Sequence, residues 1–356
     1  MTDLTQIVPR LPPAIDGVGD YAWLLAQRLN SDAGLASRFL VTDPLCPIAD
    51  GAEHLAAHTA TALAEALGGR ETVLLHFVNY AYQQRGCPWW LVHGLERWRR
   101  AQAQRRLLVM FHELYASGPP WSSAFWLSPV QRMIARRLCR LGDGAFTSLE
   151  AYARWLWGEA RPLSTWPVPS NVGEPSAVPG LAEREPALVV FGRPSVRAQI
   201  YRDNAGQLRT LARTLGLRTL HDVGAAIASE RLPGVDGLEV VPHGTLTAER
   251  VSALLLRCRV GLINNGDKPL GKSGVFASYC SHGLATLSCR GYPAADGLQS
   301  GREYLVSPPA DAGALQPIAS AAWDWYRGHH AGRLAQAVAR ELTADGCNGS
   351  AVQVAR

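Results

Sequence analysis

Four short stretches of the chain put charged or proton-carrying side chains where a turn could present them to a ligand. The first is Phe111-His112-Glu113, which closes the apolar run Leu107 to Phe111. An imidazole just beyond a buried strand can donate to a sugar hydroxyl or move a proton near neutral pH; the ordinary alternative is a strand-end histidine satisfied by a neighbour. His76, after Leu74-Leu75, has the same placement. The second stretch is Asp16-Gly17-Val18-Gly19-Asp20-Tyr21. Its glycines let the backbone approach a ligand, and the N–H groups of a helix start attract an anion; a plain turn is the alternative. It is not a dinucleotide fingerprint, because Ala22 stands at the third glycine position of GxGxxG and Asp32 does not end a clear second strand.

The third stretch is Phe191-Gly192-Arg193, with Arg197 four residues on. The planar fork of arginine suits a diphosphate, and a solvated surface arginine is the competing explanation. The fourth runs from Asn264 to Ser281 around Lys272-Ser273-Gly274, a polar loop leading into the apolar segment Val275 to Cys280. There a helix N-terminus and an ammonium would meet an anion at one spot. Gly266 to Ser273 spells the Walker A pattern. A P-loop, however, follows the first strand of its domain, and no Walker B partner is evident, so we read the loop as an anion site of another kind.

The elements that must position these residues follow from the pattern of short apolar runs alternating with helical periodicity. In the first half, strands are predicted at Gln6 to Val8, Phe39 to Val41, Val73 to Val78, Leu107 to Phe111 and Gly144 to Thr147. Helices are predicted at Tyr21 to Asn30, Ala56 to Leu67, Trp90 to Gln104, Pro129 to Leu138 and Leu149 to Leu156. A stretch rich in Pro, Ser, Gly and Glu then intervenes. The alternation restarts with strands at Ala187 to Phe191, Arg218 to His221, Leu238 to Val241, Val260 to Ile263 and Ala285 to Ser288, and a last short one at Tyr304 to Ser307. Ala314 to Tyr326 and Gly332 to Leu342 read as helices. The fold class is therefore α/β, with mostly parallel sheets covered by helices. We divide the chain into an N-terminal Rossmann-like domain over 1–170, a linker over 171–186, a C-terminal Rossmann-like domain over 187–330, and a final helix over 331–356. Ligands of such sheets bind at the carboxyl ends of the strands.

Composition narrows the class further. The 356 residues are 47% hydrophobic and 18% charged, which excludes a disordered chain, and the formal charge of +5 is mild for the length. The seven cysteines, Cys46, Cys87, Cys139, Cys258, Cys280, Cys289 and Cys347, form no CxxC pair. Neither a disulfide framework nor a zinc site is expected, and a reducing cytoplasm fits. Met1 to Gln6 is polar and Pro9, Pro12 and Pro13 follow, so no signal peptide is expected, and no apolar run spans a bilayer. Arg97, Arg99, Arg100, Arg105 and Arg106 lie beside Trp89, Trp90 and Trp98, and Arg132, Arg136, Arg137 and Arg140 form a second cluster. Both are read first as solvated faces; contact with an acidic membrane surface is the minority reading, and no nucleic-acid partner is expected. The localisation expected is cytoplasmic, with the inner face of the membrane as the peripheral alternative.

The order of these pieces resembles that of GT-B-fold glycosyltransferases of the family 4 kind. The residues that carry it are Gly17 to Ala22, Phe111 to Glu113, Pro167-Val168-Pro169-Ser170-Asn171, Phe191 to Arg193, His243-Gly244 with Leu246 to Val251, Lys272 to Gly274, and Gly283-Leu284-Ala285. The resemblance implies two Rossmann-like domains facing across a cleft, with the donor nucleotide mainly on the second and the acceptor on the first, and a last helix that crosses back to the first. It implies that His112 contacts the transferred sugar and that Arg193 and Lys272 hold the diphosphate, these three being the catalytic candidates. Gly17, Val18, Gly19, Asp20, Gly192, Arg197, His243, Ser273, Gly274 and Val275 would serve the donor; Asp16, Tyr21, His76 and Glu113 are the acceptor-side candidates. No metal and no cofactor are expected, the nucleotide sugar, UDP- or GDP-linked, being a substrate. One element of the family pattern is missing. The glutamates spaced E-x7-E, which there meet the donor sugar and the ribose, would fall near Leu270 and at Ser278, and neither is acidic; Asp267 is the nearest substitute.

The expected activity is transfer of a sugar from a nucleoside-diphosphate donor to a glycan, lipid or small molecule, with retention at the anomeric carbon implied by the resemblance alone. A positive field at the leaving diphosphate would carry it. The rivals are a non-catalytic sugar-nucleotide or glycan-binding protein on the same fold, an NAD-dependent oxidoreductase, and a sugar-nucleotide epimerase.

Overall fold

A computed structural model describes residues 3–14, 16–48, 51–159, 163–227 and 237–343. Two compact units divide the chain: Met1–Trp166 with Ala331–Arg356, and Pro167–His330. Cys347 and the rest of the segment beyond 343 lie outside the described residues. The other six cysteines are free thiols.

The first unit begins with β1 (Leu4–Val8), α1 (Gly17–Ala33), β2 (Ser37–Val41), β3 (Ala52–His54) and α2 (Ala60–Ala66). It continues through β4 (Thr72–Phe77), α3 (Asn79–Tyr82), α4 (Trp89–Ala101) and β5 (Arg106–Phe111). Then come α5 (Ser123–Leu141), β6 (Gly144–Thr147), α6 (Glu150–Leu156) and β7 (Leu163–Thr165). The seven strands form one sheet in the order β3-β2-β1-β4-β5-β6-β7, every neighbouring pair parallel. Helices cover both faces, so the central strands are buried on both sides and read as unbroken apolar runs; β4, Thr-Val-Leu-Leu-His-Phe, is buried at every position. Leu75, Phe77, Val109 and Phe111 pack with Leu91, Leu95, Ile134 and Leu138 of α4 and α5. Pro129, read from sequence as a helix start, lies inside α5, which begins two turns earlier under the cap of Ser122. The ring removes one main-chain donor there, and the side chain faces solvent.

The second unit runs β8 (Glu185–Phe191), α7 (Pro194–Asp203), α8 (Ala205–Leu215), β9 (Thr219–Val223), β10 (Glu239–Gly244), α9 (Ala248–Arg257), β11 (Cys258–Ile263), α10 (Gly274–Ser281), β12 (Ala285–Ser288) and α11 (Leu315–Arg327). Its sheet is also parallel, in the order β10-β9-β8-β11-β12. Leu188, Val190, Leu220 and Leu262 pack with α8 on one face, and Val189, Val223 and Ile263 with α9 and α10 on the other. Tyr304 to Ser307, expected as a strand, makes only single bridges, Leu287 to Leu305 and Ser300 to Tyr304. The last helix, α12 (Ala331–Thr343), belongs to the first unit: it packs on α1, and the Arg106 guanidinium donates to the Glu341 carbonyl at 3.0 Å.

Candidate active site

In both sheets the strand order reverses once, between β1 and β4 in the first unit and between β8 and β11 in the second. At such a point the connections leave on opposite faces and open a crevice at the carboxyl ends, where ligands of doubly wound sheets bind. Most of the residues singled out from sequence lie near these two points, with His243 an exception at the end of β10.

In the first unit the Asp16–Tyr21 segment follows β1 and starts α1. Asp16 is the N-cap, its Oδ2 accepting from the Gly19 N–H at 3.1 Å. Gly19 is glycine because the helix starts against the chain leaving β1: a Cβ there would lie 2.5 Å from the Arg10 carbonyl oxygen. That is a packing demand rather than a ligand's. Gly17 is exposed with open space around it, and Val18 is half-buried. Asp20 sits in the first turn, half-buried, its carboxyl pushed up by burial and by Asp16. Two carboxylates therefore already meet the positive end of α1, and a phosphate brought here would face both. The helix start is rich in acceptors and suits hydroxyl groups.

One turn on, the Tyr21 ring stands edge-on to His112 at 4.8 Å and to His76 at 6.0 Å between centroids, and its hydroxyl points inward to Met110 Sδ. Tyr21 and His76, both acceptor-side candidates, are buried; they shape the site from beneath. The histidines belong to a hydrogen-bonded row across four neighbouring strands. Gln6 Nε2 donates to Ser37 Oγ at 2.9 Å, Gln6 Oε1 accepts from His76 Nε2 at 2.7 Å, and His76 Nδ1 lies 3.0 Å from His112 Nε2. An amide oxygen only accepts, so the His76 proton sits on Nε2, and His76 Nδ1 accepts from a protonated His112 Nε2. The tautomer of His112 is thus set two residues away, at Gln6. Glu113 follows half-buried, its backbone N–H on the Phe77 carbonyl.

Burial depresses His76 to about 3 and, in the second unit, His282 to about 4. Both folded values lie below the unfolded value near 6.5, so each histidine contributes stability above that pH and loses it as pH falls toward the folded value. Urea unfolding between about pH 6.5 and pH 4.5 is expected to lose about 1.4 kcal/mol per pH unit for each of them. The His76→Asn variant should show a shallower slope; an unchanged slope in that variant would show that His76 is not held neutral.

In the second unit Gly192 and Gly224 adopt φ of +133° and +141°, which side chains rarely accept. A Cβ on Gly224 would lie 2.3 Å from the Gly192 carbonyl oxygen, so the loops after β8 and β9 can meet only through glycine. Arg197 pins this meeting point. It is buried, and it donates to the Gly192 carbonyl at 2.9 Å, to the Asp222 carboxylate and to the Ala225 carbonyl. Tyr201 donates to the other Asp222 oxygen. Arg197, expected to reach a diphosphate, instead has its fork engaged by protein acceptors and fixes the loop that carries Arg193. Arg193 itself is exposed at the N-cap of α7.

The Gly192 corner touches the start of α10: a Cβ on Gly192 would lie 3.6 Å from a Val275 methyl. Lys272 ends a 3-10 turn, Leu270–Lys272, and Ser273 caps α10 by accepting from the Phe276 N–H at 3.2 Å. Gly274 is half-buried with Asn171 Oδ1 nearby. Val168 N–H donates to the Gly271 carbonyl, so the Pro-rich segment holds this turn in place. Arg193, Lys272 and the α10 N-terminus therefore share the β8/β11 switch point, and no carboxylate caps that helix. His243, at a bulge ending β10, pairs with His221 at 2.9 Å, two strands away from β8. Ser278 is fully buried, bonded to the Gly274 carbonyl and to Ser170, and Leu270 is in the core. Asp267 is 93% exposed and paired with Arg290. Gln6, Asp222 and Tyr201 went unmarked in the sequence; for Gln6 and Asp222 the available signal was a polar residue in a largely apolar strand, and Tyr201, inside α7, offered none.

No family model matches the chain, and no curated protein matches its sequence. Solved structures do match along nearly its whole length. HepE of Anabaena in complex with UDP aligns at a TM-score of 0.61 with 13% identity, covering 96% of this chain and 100% of that one. An α-glucosyltransferase in complex with UDP and a 13-mer DNA aligns at 0.55 with 9% identity, covering 96% and 99%. A UDP-N-acetylglucosamine 2-epimerase, so described from Listeria monocytogenes, aligns at 0.54 with 14% identity, covering 98% and 99%. The fold is the two-domain Rossmann-like α/β fold of the GT-B type.

Proposed function

We propose that the chain is a glycosyltransferase that moves a sugar from a nucleoside-diphosphate donor to a hydroxyl acceptor. The observation that carries this reading is the convergence of Arg193, Lys272 and the positive end of α10, capped by the neutral Ser273 and by no carboxylate, at one strand-order reversal. Cleaving the sugar–phosphate bond builds negative charge on the leaving diphosphate, and preorganised donors and dipoles stabilise it without reorganising. The hydroxyl-friendly start of α1 and His112 then serve the sugar and acceptor side. Two carboxylates at that start make the diphosphate the wrong partner for Gly17 to Asp20, so we assign these residues to sugar hydroxyls. His243 and Val275 remain donor-side residues in this reading. The resemblance to family 4, retention of configuration, independence of a metal and a cytoplasmic setting belong to the same proposal, as does a UDP-linked donor, which agrees with the UDP bound by HepE. The acceptor is a glycan, lipid or small molecule.

The buried Ser278 and Leu270, where the family's glutamates would stand, favour a second reading: a protein that binds a sugar nucleotide without turning it over. A thermal-shift panel of UDP, GDP, ADP and their sugar conjugates tests both. Saturation at about a hundred times Kd adds about 2.7 kcal/mol to the folded state, so one nucleotide is expected to stand out by several degrees. Nucleotide release from its sugar conjugate supports transfer, a shift without release supports the binder, and no shift with any compound sinks both.

A further inference from the structure

The first unit carries an exposed aromatic patch that sugar transfer does not use. Trp121 is 87% exposed, Trp126 71%, Met133 52% and Phe125 43%, all on α5 or in the turn before it. Trp126 stands edge-on to Phe125 and folds back so that its indole donates to the Pro120 carbonyl. The opposite side of the helix, Ser128, Gln131, Ile134, Ala135, Leu138 and Cys139, is buried. The outward side continues from the aromatic end into Arg132, Arg136, Arg137 and Arg140. Glu96 and Glu159 pair with three of these arginines, which leaves a cationic excess, and the guanidinium groups of Arg132 and Arg136 sit over the rings of Tyr115 and Trp155, 4.2 Å and 4.6 Å from their centroids. Trp155 belongs to α6, and Trp157, which ends that helix, is itself 64% exposed.

We infer that this face of α5 docks on an anionic lipid surface, the aromatic end entering the headgroup boundary and the arginines meeting lipid phosphates. Indole rings favour that boundary because they have an apolar body and a polar edge. Cationic side chains beside them add attraction to negative headgroups. Charge disfavours a second copy as the occupant, because it would bring the same cationic excess to the contact. Among the described residues no helix is long and apolar enough to cross a membrane, so the contact is peripheral. The inference stands apart from the sugar-transfer reading.

Co-sedimentation of the full chain with vesicles tests it, using phosphatidylcholine alone and phosphatidylcholine with phosphatidylglycerol at roughly three to one. The wild type is expected to bind the anionic vesicles about tenfold or more tightly than the neutral ones, less so at high salt. The double variant Trp121→Ser/Trp126→Ser should lose binding about tenfold or more with its melting temperature unchanged, since both rings are exposed. Arg132→Gln/Arg140→Gln should weaken binding to the anionic vesicles only. A wild type that ignores both vesicles, or a tryptophan variant that binds as well as wild type, overturns the proposal. So does a wild-type dimer that ignores vesicles and becomes monomeric in the tryptophan variant, because the patch would then be a copy-to-copy face.

Discussion

Replacing Arg193 or Lys272 by alanine is expected to lower turnover of a nucleotide-sugar donor by about 10²–10³-fold each, with the melting temperature nearly unchanged. Arg193 is exposed on the N-cap of α7, and Lys272 is half-buried on a 3-10 turn, so neither truncation opens the core. Both sit at the β8/β11 reversal beside the start of α10. In the proposed transfer their value would lie in the transition state, when the charge on the leaving diphosphate exceeds that in the ground state, so kcat should fall more than KM rises. Arg193→Lys should recover only part of the loss, because an ammonium cannot reproduce a two-pronged contact. Near-wild-type rates in both alanine variants would remove the basis for the assignment.

Asp222→Ala is expected to destabilise the second unit by about 3–5 kcal/mol, the usual effect of leaving a buried charge without its partner. Asp222 is buried and takes hydrogen bonds from Arg197 and Tyr201. Removing it leaves the buried guanidinium with only the Gly192 and Ala225 carbonyls. For a unit of this size the loss corresponds to a fall in melting temperature of roughly 10 °C. Because Arg197 also holds the Gly192 carbonyl, the corner carrying Arg193 should loosen, and activity should drop below what the folded fraction explains. Thermal unfolding followed by circular dichroism checks the first part; a change below about 1 kcal/mol would mean that the guanidinium reaches solvent.

Much of the sheet architecture was legible because parallel strands buried on both faces leave unbroken apolar runs, as in Leu107 to Phe111 and Ala285 to Ser288. The edge strands β3 and β7, Ala-Glu-His and Leu-Ser-Thr, were missed; three partly exposed residues leave no such run. The positions of Arg193, just past a strand, and of Lys272, in the polar loop before a helix, were legible in the sequence. Arg197 was misread because its acceptors come from two loops and a neighbouring strand, which spacing does not reveal. Gln6 stood out only as a polar residue in an apolar strand; its partner His76, 70 positions away, was not readable from spacing. Counting back from Gly283 found no carboxylate at Ser278; the packing shows why, since that side chain is enclosed between α10 and Ser170.

The return of α12 to the first unit has a consequence during synthesis. The second unit is one continuous segment and can complete its core once residues 167–330 have left the ribosome, whereas the first unit lacks the helix that covers α1 until residues 331–343 have followed. The order of completion therefore inverts the usual N-to-C sequence. A released chain truncated after His330 should show a protease-resistant second half beside a first half that is still open to digestion.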